Sequence, residues 1–140
     1  MLLITLGGGC WDAAEHTSID VDAPETVVVG DVFDFTVEVT NHDDEVHVID
    51  SIDIANDFLD GFEIFSVDPE QSGELSLEPF LDQYSYTMGA EVAPDESVVV
   101  TFSAGASEIG EYSGSFDVCM DSGGDCLFSS IHIDVEPIEL

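Results

Sequence analysis

Tyr112-Ser113-Gly114-Ser115-Phe116-Asp117-Val118-Cys119-Met120, followed after a short link by Cys126-Leu127-Phe128-Ser129-Ser130-Ile131-His132-Ile133-Asp134-Val135, is the stretch that decides the fold. In the first run apolar or small residues hold the even positions and polar ones the odd. In the second, Leu127, Ile131, Ile133 and Val135 hold the odd positions, so both runs have the period of a half-buried strand. Setting Cys119 opposite Cys126 places Val118 against Leu127, Phe116 against Ser129, Gly114 against Ile131 and Tyr112 against Ile133. That register puts the main core-facing residues on one face and both cysteines on the other, whereas a one-residue slip would reverse one strand.

The link, Asp121-Ser122-Gly123-Gly124-Asp125, is turn chemistry: glycine accepts positive φ, and Asp or Ser bonds its own backbone. Opposed residues of paired antiparallel strands sit about 4.5 to 5.5 Å apart at Cα, inside the disulfide window. The register therefore predicts a Cys119–Cys126 bridge closing the hairpin; the alternative is two separate buried thiols.

Composition bounds the rest. The chain has 140 residues, 32 Asp plus Glu, no Lys or Arg, and a formal charge of -32, yet 44% of it is hydrophobic, enough to fold one domain around one core. Phosphate binding needs cations that are absent, so nucleic acid is excluded as a partner. Anionic headgroups would repel the surface too. Carboxylates repel each other over about 10 Å at 0.1 M salt and about 3 Å at 1 M, so the fold should gain stability as salt rises. This favours a high-salt source over an acidic protein of ordinary surroundings.

The N-terminal run MLLITLGGGC (residues 1–10) is too short to span a bilayer, which needs about 20 apolar residues. It resembles the end of a lipoprotein signal peptide, with small residues before a cysteine that receives lipid. Gly7 departs from that pattern, as does the lack of a basic leading segment. Pairing Cys119 with Cys126 leaves Cys10 as the odd cysteine, the candidate for lipidation.

Residues 11–16 read as a tether. Strands follow over Thr17 to Asp22, Thr26 to Val29 and Val32 to Thr40, the last with Phe33, Phe35, Val37 and Val39 on one side. In Val46 to Ile54, Val46, Val48, Ile52 and Ile54 are in phase and Ile49 is not, which a bulge or sheet switch would reconcile. Phe62 to Val67 is another strand, Glu70 to Asp82 is loop with a short edge strand, and Tyr84 to Met88 and Val98 to Ala104 complete the set. There is no convincing helix. An all-β fold results, an antiparallel immunoglobulin-like sandwich of about seven to nine strands over residues 17–136, with a tail at 137–140.

Gly30-Asp31, FTVEVTN (Phe35 to Asn41), VAPDESVVVTF (Val92 to Phe102) and Gly110-Glu111-Tyr112 give this stretch a family likeness. It resembles the Ig-like domains of bacterial and archaeal surface proteins, of the CARDB, DUF11 and ASH kinds. The resemblance places Tyr112 at a tyrosine corner and Gly114 where the second inter-sheet cysteine of antibody domains would lie. It implies adhesion, spacing or partner binding at a cell surface rather than catalysis, an implication by analogy of fold.

The residues themselves carry no catalytic signature. Outward carboxylates such as Asp34, Glu38, Asp117 and Asp134 read as a solvated face, there is no nucleophile elbow, and Gly7 to Gly9 lack the lysine and Ser/Thr of a P-loop. His16, His42, His47 and His132 have no paired zinc-ligand spacing and read as surface histidines. Calcium is the sharper candidate, since the loop after Thr40 and the hairpin turn fall at one end of the sandwich. That gathers Asp43, Asp44, Glu45, Asp121 and Asp125 as hard oxygen donors. The first strand begins at the same end, so a lipidated Cys10 would hold it toward the membrane.

Three functional readings follow. The leading one is a lipid-anchored, non-catalytic binding or spacer module at a cell surface, facing another protein or surface component. The others are a calcium-dependent adhesion or assembly domain, and a small secreted enzyme or its accessory domain.

Overall fold

A computed structural model describes residues 16–69, 76–78, 83–121 and 125–139. Their alternating patterns form β1 (Thr17–Asp22), β2 (Thr26–Val28), β3 (Val32–Asn41), β4 (His47–Ala55), β5 (Phe62–Asp68), β6 (Ser76–Glu78), β7 (Gln83–Val92), β8 (Ser97–Ala106), β9 (Gly110–Met120) and β10 (Asp125–Glu136), with one helical turn, α1 (Asn56–Leu59), after β4. Two of these strands have only three residues.

One sheet runs β1-β3-β8-β5 and the other β2-β10-β9-β4-β7-β6. Within them β1-β3-β8-β5 and β10-β9-β4 reproduce the two sheets of a seven-stranded immunoglobulin-type sandwich, in the same chain order. The additions are β2, which pairs parallel to β10, and the β6–β7 pair, which extends the larger sheet beyond β4. The protein is thus an all-β, Ig-like sandwich.

The β9–β10 register is the one the alternation requires. Cys126 faces Cys119, Leu127 Val118, Ser129 Phe116, Ile131 Gly114 and Ile133 Tyr112. The Cys119–Cys126 disulfide is formed, with its Cα atoms 4.0 Å apart.

The core lies between the sheets and is dominated by aromatic rings. Phe35 of β3 stacks on Phe102 of β8 at 5.0 Å and meets Phe116 of β9 edge-on at 6.1 Å, a contact that joins the two sheets. Phe58 of α1 fills the same centre, edge-on to Phe35 at 5.9 Å. It reaches there because Gly114 has no Cβ: one built at that position would stand 2.6 Å from Ala55 Cβ and 3.2 Å from Phe58 Cβ. The position that the family resemblance gave to a cysteine instead makes room for α1. That single turn is an element the sequence does not announce, because four residues are too few to show a period of 3.6.

The Tyr112 hydroxyl donates to Ile109 O, three residues upstream, across 3.4 Å, as a tyrosine corner does. Its ring lies over Gly61, where a Cβ would meet ring carbons at 2.3 Å.

Two readings of the sequence need correction. A bulge between Ile49 and Ser51 is present in β4, but it reverses the expected phase before it. Ile49, Ile52 and Ile54 are the fully buried set, while Val46 is exposed and Val48 only partly covered. Asp117, expected on a solvated face, is only 8% exposed.

Topology also gives the sandwich two unlike poles. Thr17, at the start of β1, faces Asn41 at the end of β3, and β10 starts at Asp125 near that pole. At the other pole β10 ends beside Val28.

Candidate functional site

Asn41 organises the pole where β1 begins. It is fully buried, and its amide donates to Glu45 O at 2.7 Å and Val92 O at 2.9 Å while its Oδ1 accepts the Asp43 N–H at 2.8 Å. An Asn that bonds the backbone two residues on is an Asx turn, and here it folds the β3–β4 loop so that Asp43 points back over the sandwich.

His47 receives it. The ring Nε2–H donates to Asp43 Oδ2 at 2.9 Å, and Nδ1–H donates to Asp121 Oδ2 at 2.6 Å. Each ring nitrogen faces a carboxylate, which accepts only, so both bonds are made together when the ring is protonated to the imidazolium. Asp121 is itself held by its second oxygen, Oδ1, which accepts the Val48 N–H at 2.8 Å, and its own N–H donates to Val48 O at 2.9 Å. Desolvation works against a charged His47, but the hydrogen bonds and charges of Asp43 and Asp121 outweigh it and the pKa rises. Bonding to His47, first of all, holds the Asp43 carboxyl below its ordinary range.

Of the calcium candidates, Asp43 and Asp121 are thus brought together, on a ring that supplies the positive charge between them. Asp44 and Glu45 sit exposed in the same loop, and Asp125 opens β10 at this pole. Sequence reasoning grouped His47 with surface histidines; in the structure its side chain is 12% exposed. The signal was the phase of β4, which the bulge reverses.

A second set of groups lies on the outer face of the larger sheet. Asp53 of β4 and Asp117 of β9 are register partners, with Ser85 of β7 opposite Asp53 on the other side. Gln83 Nε2 donates to Asp117 Oδ2 at 3.2 Å and to Ser115 Oγ at 3.3 Å. The remaining oxygen of each carboxylate, Asp53 Oδ1 and Asp117 Oδ1, has neither water access nor a donor. Burial first, and then the neighbouring Asp53 charge, raise the Asp117 pKa against the lowering effect of hydrogen bonds from Gln83 and the Ser129 backbone.

Elsewhere, Glu111, His132 and Asp134 bring one ligand atom each within 4.8 Å of one another, with His132 Nε2 bonded to Asp134 Oδ1 at 2.7 Å. These residues are largely exposed. Cys10 lies outside the described residues, as does the Ser122–Gly124 turn.

No protein-family model matches the sequence, and no curated protein matches it. Solved structures of similar fold do. A cohesin module from a Clostridium perfringens family 33 glycoside hydrolase superposes with a TM-score of 0.55 at 11% identity, covering 88% of this chain and 98% of that one. The E. coli alpha-2-macroglobulin contains a similar domain, with TM-score 0.52, 14% identity and 86% of this chain covered; this chain spans 7% of its length. A CARDB domain from Pyrococcus furiosus resembles it more loosely, with TM-score 0.48 and 13% identity over 85% of this chain and 86% of that one. At these identities the likeness is one of fold.

Proposed function

We propose that this protein is a non-catalytic binding or spacer module of a cell surface, anchored by lipid at Cys10 and adapted to high salt. The observation that carries the reading is the contrast between its poles. β1 enters at the pole of Asp43, His47 and Asp121, where a tether from Cys10 would arrive. Of eight exposed large apolar side chains among the described residues, five, Val28, Val32, Phe65, Ile109 and Ile138, lie around the opposite pole, while Val46 and Phe128 lie toward the first and Val99 lies within β8. Val28 is opposite Glu136, two residues before Ile138, Val32 is opposite Gly105, over which the Phe65 ring lies, and Ile109 precedes Gly110, the partner of Val135. The larger share of the exposed apolar surface thus lies away from the anchor, and it suits contact with another protein or surface component. The cohesin likeness, to a structure that is by name a module, supports the same reading.

Phase partition of native membranes in a cloud-point detergent tests the anchor. The protein should enter the detergent phase and a Cys10→Ser variant the aqueous phase; wild-type protein in the aqueous phase would overturn the lipid-anchored reading.

Calcium-dependent adhesion is the second reading, favoured by the meeting of Asp43 and Asp121. It requires calcium to displace the His47 proton. A saturable stabilisation by calcium that grows above the His47 pKa and is lost in Asp43→Asn would support it.

A further inference from the structure

We propose that Asp53 and Asp117 form a site for a hard divalent cation, calcium, on the outer face of the six-stranded sheet. It is separate from the pole where the sequence places calcium. It also stands apart from the module reading above.

The argument begins with supply and demand for donors. Two carboxylates face each other across β4 and β9, and each has an oxygen with no hydrogen-bond partner and no water. Buried polar atoms are ordinarily satisfied, and buried like charges ordinarily have a counter-charge. Here the chain offers no Lys or Arg, and the His47 ring is committed to Asp43 and Asp121. Gln83 divides one amide between Asp117 and Ser115, the Ser129 backbone also bonds Asp117, and the Ser85 and Ser115 hydroxyls lie nearby, yet none of these donors satisfies either buried Oδ1. Cys119 Sγ stands 3.6 Å from Asp53 Oδ2, but as half of a disulfide it has no proton to give.

The surroundings are rich in hard oxygen. Besides the two carboxylates there are the Ser85 hydroxyl across from Asp53, the Ser115 hydroxyl and the Gln83 carbonyl, which an amide flip would present. Calcium takes six to eight oxygens of these types and completes its shell with water. Asp117 is 8% exposed and Asp53 is half-buried, so the pair lies just beneath the outer surface of the sheet. Disulfide sulfur is a poor ligand, which disfavours soft metals. The antiparallel pairing of β4 with β9 holds the two carboxylates in position before any ion arrives.

The test is calorimetric titration of the chelator-stripped full chain with CaCl2 in molar NaCl, where diffuse binding to the acidic surface is screened. Wild type and Asp43→Asn should each bind one ion saturably, and Asp53→Asn and Asp117→Asn should bind at least about tenfold more weakly. Both asparagine variants should melt no lower than wild type without calcium, since each removes a like charge at nearly constant shape; this separates lost binding from lost folding. No saturable binding in wild type, or equal binding in Asp117→Asn, would overturn the proposal. So would carboxyl NMR showing a proton shared between Asp53 and Asp117 that calcium does not displace.

Discussion

His47 and Asp121 meet at 2.6 Å, and through that contact the β3–β4 loop and the β9–β10 hairpin are held as one piece. The link has a defined pH range. The folded His47 pKa is raised above its ordinary value, so its contribution is complete below about 6.5 and is lost as pH rises through the folded pKa. Asp43 has the opposite sense: its lowered pKa gives stability present above about 3.9 and lost as pH falls through the folded value. His47→Gln should remove the alkaline-side decline and cost about 1 kcal/mol at mildly acidic pH, the modest figure reflecting solvent around Asp121. Urea melts across pH check it; an unchanged profile would refute the clamp.

Gly114→Ala should destabilise by about 1–3 kcal/mol, because the new methyl meets Ala55 Cβ and the backbone-linked Cβ of Phe58. Gly30 makes the control. It has φ of +94° with nothing within 4 Å, so Gly30→Ala pays only conformational strain. Chemical denaturation of the two variants separates packing from backbone effects. Equal losses would argue against tight packing of α1 on β9.

Opening the Cys119–Cys126 bridge by reduction should cost about 2 kcal/mol, the low end for a native disulfide, since the cysteines are only seven residues apart in sequence. The hairpin strands should stay paired, because the register is set by Val118, Phe116 and their partners as well. Thermal melts with and without reductant measure the difference, and amide exchange in β10 checks the pairing.

Melting temperature should climb steadily with NaCl, with a dependence far steeper than for a charge-balanced domain. A formal charge of -32 has no basic side chain to offset it, and salt shortens the range of that repulsion. A flat response between low and molar salt would remove the basis for the high-salt reading.

Much of this architecture was legible because a period of two survives in the sequence wherever a strand has one wet face. The β9–β10 pairing, the disulfide and the sides of β3 followed from it. The reading failed where geometry departs from the period. The β4 bulge hid His47 by moving it out of the face that Val48 suggests. Asp117 occupies an outward position of β9, and alternation alone cannot show that its neighbours on the flanking strands close over it. The meeting of Asp53 and Asp117 depends on β4 lying beside β9, a long-range pairing with no local signal.

The opposite placement of the strand ends has a mechanical meaning. β1 enters at one pole and β10 leaves at the other, while β2 lies parallel to β10. Tension drawn through the two ends runs along the strands and slides β2 past β10. The bonds from Val29 N–H to Glu136 O and from Asp134 N–H to Glu25 O are then loaded together in shear, instead of being peeled apart one after another. A pull on the two ends would therefore meet both bonds at once.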